Sequence, residues 1–192
     1  MKLRARWTCL LLAAALAWPG TTAAFDLGVL MEKLAGVPAS SDSFTETRHS
    51  ALLSGPLVLK GSLVYRRPDR LEKNVLSPYE ERTVIAGASV TIENRTLGQT
   101  RTYSLSSSAT ASALVESMRA TLAGDRASLE RHYGVALEGS LAAWTMSLTP
   151  REQKLASLVK RIQIAGSNER VMRIEIEEAS GDRSLMQVGA PK

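Results

Sequence analysis

Cysteine is almost missing from this chain of 192 residues: it has one, Cys9, in an N-terminal segment that we expect to be removed. Aromatic residues make up 5% of the chain, and histidine occurs twice. These shortages exclude a small secreted module held by disulfides and a zinc site built from cysteine and histidine. An exported domain without disulfides needs a hydrophobic core of some size, which a chain of this length can form. We expect no metal and no cofactor.

Local signatures of catalysis are also missing. The chain has no G-x-S-x-G elbow, no H-E-x-x-H motif and no glycine-rich phosphate loop. His49 and His132 fall in unlike predicted elements, and neither has a carboxylate pair nearby at the spacing of metal ligands. The glutamates Glu175, Glu177 and Glu178 are expected to be solvated on a polar strand face. We therefore expect no catalytic residue and no enzymatic activity.

The first 24 residues have the anatomy of a secretory signal peptide. Three basic residues and no acidic one precede the apolar run 10–18, and Pro19 then breaks the helix. Small residues follow, so we expect cleavage after Ala24. The run is shorter than the roughly 20 residues of a membrane span, although an uncleaved anchor is the alternative. These features predict a periplasmic protein whose mature chain, residues 25–192, is a single domain.

Positive charge is concentrated in that segment. The formal net charge of the chain is +5, and removal of the segment's three basic residues leaves +2. So small a surplus, with the two signs interspersed, gives no reason to expect nucleic acid as a partner. The densest basic cluster in the remainder is residues 66–70, Arg-Arg-Pro-Asp-Arg. It is either a solvated turn or a basic rim for an anionic head group or an acidic partner.

Hydrophobic periodicity predicts an α+β fold. Helical spacing covers residues 25–35 and 111–123, and 125–133 is a further short helix with Asp125 as its N-cap. Alternation predicts roughly ten short strands without a βαβ rhythm, which favours an antiparallel sheet. The predicted strands are 44–48, 57–66, 70–77, 81–86, 89–95, 101–105, 135–138, 141–149, 158–165, 170–178 and 183–188. So long a sheet should curve into an incomplete β-barrel around an N-terminal helix and a helical lid insert, leaving an apolar concave face.

Several segments occur together in a recognisable order. Residues 61–68, Gly-Ser-Leu-Val-Tyr-Arg-Arg-Pro, followed by Leu71, are similar to a G-x-L-x-x-x-R-P segment, and 43–47 to an S-F-x-Q strand. Further similar segments are 148–150, 159–164, 172–176 and 181–184. This ordered set resembles the LolA-type outer-membrane lipoprotein carriers. The resemblance implies a half-barrel closed by a helical lid, which shuttles acylated cargo across the periplasm, and it assigns Arg67 to lid closure and cargo transfer.

The chain also departs from the family pattern. Charged Glu72 and Lys73 replace the aromatic residue that usually follows the Arg-Pro turn. The usual D-G-x-x-x-W/Y hairpin is reduced to residues 86–88, and residues 189–192 do not match the family's F-x-x-x-x-P-x-G extension. These departures indicate a related branch whose cargo is a lipoprotein, a lipid, a glycolipid or another acylated product.

The leading hypothesis is a monomeric periplasmic carrier that touches membrane surfaces transiently, between an inner-membrane donor complex and an outer-membrane acceptor. An acyl chain gains about 0.8 kcal/mol for each methylene that a cavity buries. The candidate cavity-lining residues are Leu63, Tyr65, Leu71, Val75, Val90, Ile92, Met118, Leu122, Trp144, Met146, Leu148, Ile162, Ile164, Met172, Ile174 and Ile176. The second hypothesis is a non-enzymatic scaffold in envelope assembly with a filled core, and the third is a hydrolase of lipid-like substrates.

The position of Arg67 suggests a role independently of the resemblance. It stands just before Pro68, at the mouth of the predicted half-barrel. There its guanidinium could bond to carbonyls of the insert helix or to an anionic head group, in a geometry that lysine cannot copy. Alternation sends the neighbouring Arg66 to the other face of the strand.

Overall fold

The computed structural model describes residues 25–107 and 109–189, without the side chains of 109–111, 113 and 114. The predicted signal peptide lies outside the described residues. The helices of the described chain are α1 (Leu27–Ala35), α2 (Ala109–Ala123), α3 (Arg126–His132) and α4 (Gln153–Ala156), with a short 3-10 turn at Leu105–Ser107. The carboxylates of Asp26 and Asp125 cap α1 and α3, each accepting a backbone N–H at 3.0 Å. The predicted cap at Asp125 is therefore confirmed.

Eleven strands in the described chain form one antiparallel sheet. They are β1 (Ala39–His49), β2 (Leu57–Arg66), β3 (Arg70–Ser77), β4 (Glu81–Ala86), β5 (Ser89–Asn94), β6 (Gln99–Ser104), β7 (Tyr133–Ser140), β8 (Ala143–Pro150), β9 (Val159–Ser167), β10 (Arg170–Glu178) and β11 (Arg183–Val188). Their order across the sheet is β6-β5-β4-β3-β2-β1-β11-β10-β9-β8-β7. The sheet is curved and does not close into a barrel, which confirms the predicted fold class.

Most predicted bounds are off by no more than two residues, and two elements differ further from the prediction. Strand β1 begins at Ala39, inside a serine-rich stretch that we had not assigned to a strand, because that stretch pairs with β2 from Ala39 opposite Arg66 onwards. Backbone pairing needs no apolar side chain, so hydrophobic alternation could not indicate it. Helix α4 was not predicted either, since four residues are too few to show a helical period.

The register divides the side chains between a concave face, against which the helices pack, and a convex face. Ile174 lies opposite Ile164 and Met186 on the concave face, whereas Arg173 lies opposite Gln187 on the convex face. The apolar core falls into two clusters. In the β7–β10 half, sheet residues pack against α1, α2 and α3. In the β1–β6 half, a smaller cluster is built around Phe44, Leu59 and Val75.

Candidate functional site

The concave face of the β7–β10 half is apolar and filled. Trp144 is 2% exposed and its indole N–H donates to the carbonyl of Asn168 at 2.9 Å. Met146, Leu148, Ile162 and Ile164, which were predicted to line a cavity, are likewise buried among side chains of α1 and α3. Ile174 and Ile176 are only partly buried at the margin of this cluster. They are the predicted lining residues of this half that a ligand could reach with the least rearrangement.

On the concave face of the β1–β6 half, Tyr65, Leu71 and Val75 are at most 9% exposed, whereas Leu63, Val90 and Ile92 are partly buried. The strand register places all six on this face. A groove of about 230 Å³ lies farther along this face, near the edge strand β6. Its lining residues are Glu81, Ile92, Asn94, Leu97, Gln99, Arg101 and Tyr103, so that Ile92 alone was among the predicted lining residues.

Three other predicted lining residues lie elsewhere. Met172 stands at a β-bulge of β10, is 53% exposed and belongs to neither core cluster. The bulge breaks the alternation on which its prediction depended. Met118 and Leu122 of α2 are partly buried. The side chains of α2 that are almost fully buried include two polar ones, Ser117 and Thr121, at 2% exposure each.

An ion cluster interrupts the concave face of the β1–β6 half. The Glu46 carboxylate, 2% exposed, accepts hydrogen bonds from Arg48 Nε at 2.6 Å, from Ser184 Oγ at 2.7 Å and from Lys73 Nζ. The Lys73 ammonium lies 5.2 Å from the centre of the Phe44 ring. We had expected an apolar concave face, and at this cluster that expectation was wrong. The signal was present, because the alternation that places Leu71 and Val75 on this face also places Lys73 there.

Burial and pairing act in opposite directions on the pKa values of this cluster. Burial alone would raise the pKa of Glu46, but the hydrogen bond from Arg48, together with Lys73 and Ser184, holds it below its usual value. Burial lowers the pKa of Lys73, and the nearby Glu46 carboxylate opposes this effect. Glu46 is thus held as a carboxylate, and Lys73 is a desolvated cation.

Gly61 makes room for the cluster. It lies opposite Phe44 on β1 and Val75 on β3. A Cβ atom at this position would come 1.8 Å from the carbonyl oxygen of Asn74 and 3.0 Å from the Phe44 ring. The absence of a side chain lets the Phe44 ring lie against the sheet, and the Lys73 stem crosses above it to reach Glu46.

Arg67 joins the sheet to two helices. Its Nη1 donates to the carbonyl oxygen of Ala35 at the end of α1, and its Nη2 donates to that of Ala123 at the end of α2, the latter at 3.0 Å. Both carbonyls belong to last turns, which lack intrahelical donors and carry the negative end of the helix dipole. Of the two kinds of partner suggested for Arg67, the structure shows the helix carbonyls.

A close approach of the two helices brings those carbonyls together. Gly124, which ends α2, has φ +68°. A Cβ atom there would lie 2.0 Å from the carbonyl oxygen of Met31 in α1. Glycine both permits the left-handed conformation and removes the clash. By contrast, the side chain of Arg66 is exposed and has no hydrogen bond or ion pair to any residue of the described chain.

Comparison with protein families supplies the decisive finding. A family model described as "Outer membrane lipoprotein carrier protein LolA-like" matches residues 19–191. The chain belongs to the LolA-like family. No curated protein matches the chain.

Solved structures similar to this LolA-like chain are distant in sequence. A LolA superfamily protein from Nitrosomonas europaea is 12% identical, with 83% of this chain and 89% of that one covered and a TM-score of 0.44. The MucA/MucB complex of Pseudomonas aeruginosa gives 15% identity, coverage of 88% and 59%, and a TM-score of 0.44. A putative outer membrane lipoprotein-sorting protein domain from Vibrio parahaemolyticus gives 10% identity, coverage of 84% and 89%, and a TM-score of 0.41.

The convex face of the LolA-like sheet is polar. Glu175 lies there between Arg173, at 2.6 Å, and Arg183. Contrary to the expectation of a solvated carboxylate, Glu175 is only 4% exposed, since the two arginines cover it.

His132 lies between Glu152, at 3.0 Å, and Glu116 of α2, at 3.2 Å. Within the described residues, no group of three or more His, Cys, Asp or Glu side chains is arranged to hold a metal.

One end of the LolA-like sheet exposes leucines. The connections β1–β2, β3–β4, β5–β6 and β8–β9 all lie at the end opposite Arg67, because every pairing is antiparallel. The exposed leucines in or beside these connections are Leu52 (94%), Leu53 (41%), Leu76 (64%), Leu97 (66%) and Leu158 (50%). Among residues 25–107 and 109–189, no helix combines the length and apolar character that a membrane crossing requires.

Proposed function

We propose that this protein is a periplasmic carrier that binds the acyl chains of a lipoprotein or a lipid-like amphiphile against its concave face and shuttles them towards the outer membrane. It does so by binding alone, without catalysis. The observation that carries the proposal is the arrangement around Arg67: its exposed guanidinium joins two helices that cover an apolar concave face to the rim of the sheet. Membership of the LolA-like family supports the same function.

The proposal requires the helices to move. Pockets that enclose a small organic ligand have volumes of about 300–1,000 Å³. The concave groove of about 230 Å³ is smaller, and the β7–β10 half is filled by side chains of α1, α2 and α3. An acyl chain therefore enters when these helices separate from the sheet. Arg67 is then the lid and transfer residue, because its two hydrogen bonds break on opening.

The exposed leucines suit the proposed contact with membrane surfaces. Leu52 is almost fully exposed at the tip of the β1–β2 connection, and Leu97 is two-thirds exposed at the tip of the β5–β6 connection. Apolar side chains on loop tips can enter the boundary between head groups and acyl chains. Transient contact at this end leaves the Arg67 end free for a protein partner, either a donor complex or an acceptor.

The filled β7–β10 half favours a second candidate. If the helices stay closed, the protein is a non-enzymatic periplasmic scaffold that binds an envelope-assembly partner on its surface. A replacement at the partly buried Ile174 can distinguish the two candidates, because a carrier binds its ligand at this margin and a scaffold does not.

Uptake of a fluorescent fatty acid by purified variants tests the proposal. Ile174→Asp should lower uptake, because it puts a charge on the concave face. Gln187→Asp should not, because Gln187 is exposed on the convex face. Gln187 is a better control than Arg173, whose replacement would leave Glu175 with one partner fewer. Equal uptake by the two variants, with circular dichroism unchanged, would contradict the carrier.

A further inference from the structure

The Lys73 ammonium has N–H donors that no acceptor in the described chain uses. An ammonium carries three N–H donors. Within the described residues, one of these donors bonds to Glu46, and the ammonium has no other hydrogen-bond partner. The side chain is 23% exposed and lies on the concave face. A desolvated cation with unused donors, fixed in place by Glu46 and Phe44, is arranged to receive an acceptor of opposite charge.

Positive charge is also in slight excess on the concave face that carries Lys73. The charged residues on the concave face of the β1–β6 half are Asp42, Glu46, Arg48, Lys73, Glu81 and Arg101. Asp42 is paired with Arg170 of β10 at 3.2 Å. The remaining two carboxylates face three cations, and Glu46 is shared by two of these. One positive charge is left without a carboxylate of its own.

The register connects this charge to the groove. Lys73 lies opposite Thr83, which lies opposite Ile92, which lies opposite Arg101. These four residues form a single row across strands β3 to β6. With neighbouring strands about 4.8 Å apart, the row is about 14 Å long. Ile92 and Arg101 line the groove, and Lys73 stands on the same face of the sheet, two strands or about 10 Å from Ile92.

We infer that Lys73 binds the anionic head group of the cargo, a carboxylate or phosphate attached to an acyl chain that lies on the concave face. The inference rests on the proposed carrier function and adds the chemical class of the ligand. An anionic oxygen would take the unused donors of Lys73 while Glu46 keeps its bonds to Arg48 and Ser184. A neutral head group of the same shape would leave the cation without this partner.

A matched pair of probes tests the inference. A dansyl-labelled undecanoic acid and its methyl ester share chain and fluorophore and differ in charge. The wild-type protein should bind the acid about tenfold more tightly than the ester, the typical effect of a hydrogen bond to a charged group. Lys73→Met should remove this preference and Lys73→Arg should keep it. Lys60→Met is the control, because Lys60 is exposed on the convex face of β2.

The outcomes separate the two claims. Equal binding of acid and ester by the wild type, or a preference that survives Lys73→Met, overturns the inference and leaves the carrier standing. Binding of neither probe overturns the carrier and the inference with it. NMR of the wild-type protein with isotope-labelled, chemically unmodified lysine is independent of variant folding. The Lys73 resonance should shift with the acid and stay unmoved with the ester or with inorganic phosphate alone, and a phosphate-induced shift of equal size would mean a simple anion site.

Discussion

Replacement of Arg67 by leucine should loosen the helices without unfolding the sheet. The guanidinium donates two hydrogen bonds, one to the last turn of α1 and one to the last turn of α2. Each is exposed, so we assign each about 1 kcal/mol, for a total of about 2 kcal/mol. That free energy corresponds to an about 30-fold increase in the population of the opened helices.

Hydrogen–deuterium exchange measures this opening directly. In Arg67→Leu, amides near the ends of α1 and α2 should exchange about 30-fold faster, whereas amides of β8 and β9 should exchange as in the wild type. Arg67→Lys should fall between, because an ammonium is a point donor that cannot reproduce the planar fork bridging two carbonyls. A fluorescently labelled lipid loaded on the protein should then transfer to acceptor vesicles faster from Arg67→Leu than from the wild type.

Arg66→Leu is the matched control for this experiment. Arg66 is the adjacent arginine and is exposed at the end of β2. Its replacement should change neither exchange nor transfer. Unchanged helix protection in Arg67→Leu, or equal effects of the two replacements, would refute the assignment of Arg67 as the residue that holds the helices closed.

Two further predictions concern the membrane-facing end and the ion cluster. Joint replacement of Leu52 and Leu53 by serine should weaken co-sedimentation with phospholipid vesicles at least about tenfold, whereas Met172→Ser, at the opposite end of the sheet, should leave it unchanged; equal losses would contradict the proposed orientation. Glu46 has a lowered pKa in the folded protein, so its stabilisation is present above the ordinary glutamate pKa of 4.5 and is lost as the pH falls through the lower pKa of the folded state. Chemical denaturation should therefore give Glu46→Gln a lower free energy of unfolding than the wild type at neutral pH, and this difference should narrow in acid. The exposed control Glu138→Gln should have the free energy of unfolding of the wild type at both pH values.

The sequence predicted the fold well because the relevant signals are local. Alternation located β2 and β3 with their final bounds, and a capping carboxylate located the start of α3. The split of Ile174 and Arg173 between two faces follows from the same period. What failed depends on distant contacts: Met172 left the alternation at a bulge, and Ser117 was buried by tertiary packing that no apolar stripe indicates.

The candidate site was only partly predictable for the same reason. Position alone placed Arg67 at the rim, but its bonds to Ala35 and Ala123 join segments distant in sequence. The pairing of Glu46 with Lys73 likewise spans three strands and depends on the missing side chain of Gly61. The alternation can show that a charged residue lies on the same strand face as apolar ones. It cannot show which charged residue of another strand it pairs with.

Native mass spectrometry of protein purified from the periplasm under mild conditions tests the carrier most directly. The account predicts a species heavier than the mature chain by the mass of an amphiphile, released by gentle activation and reduced in the Ile174→Asp variant. Organic extraction should then recover an acylated molecule with an anionic head group. A bare chain that also takes up no added fatty acid would contradict the central claim and favour the scaffold.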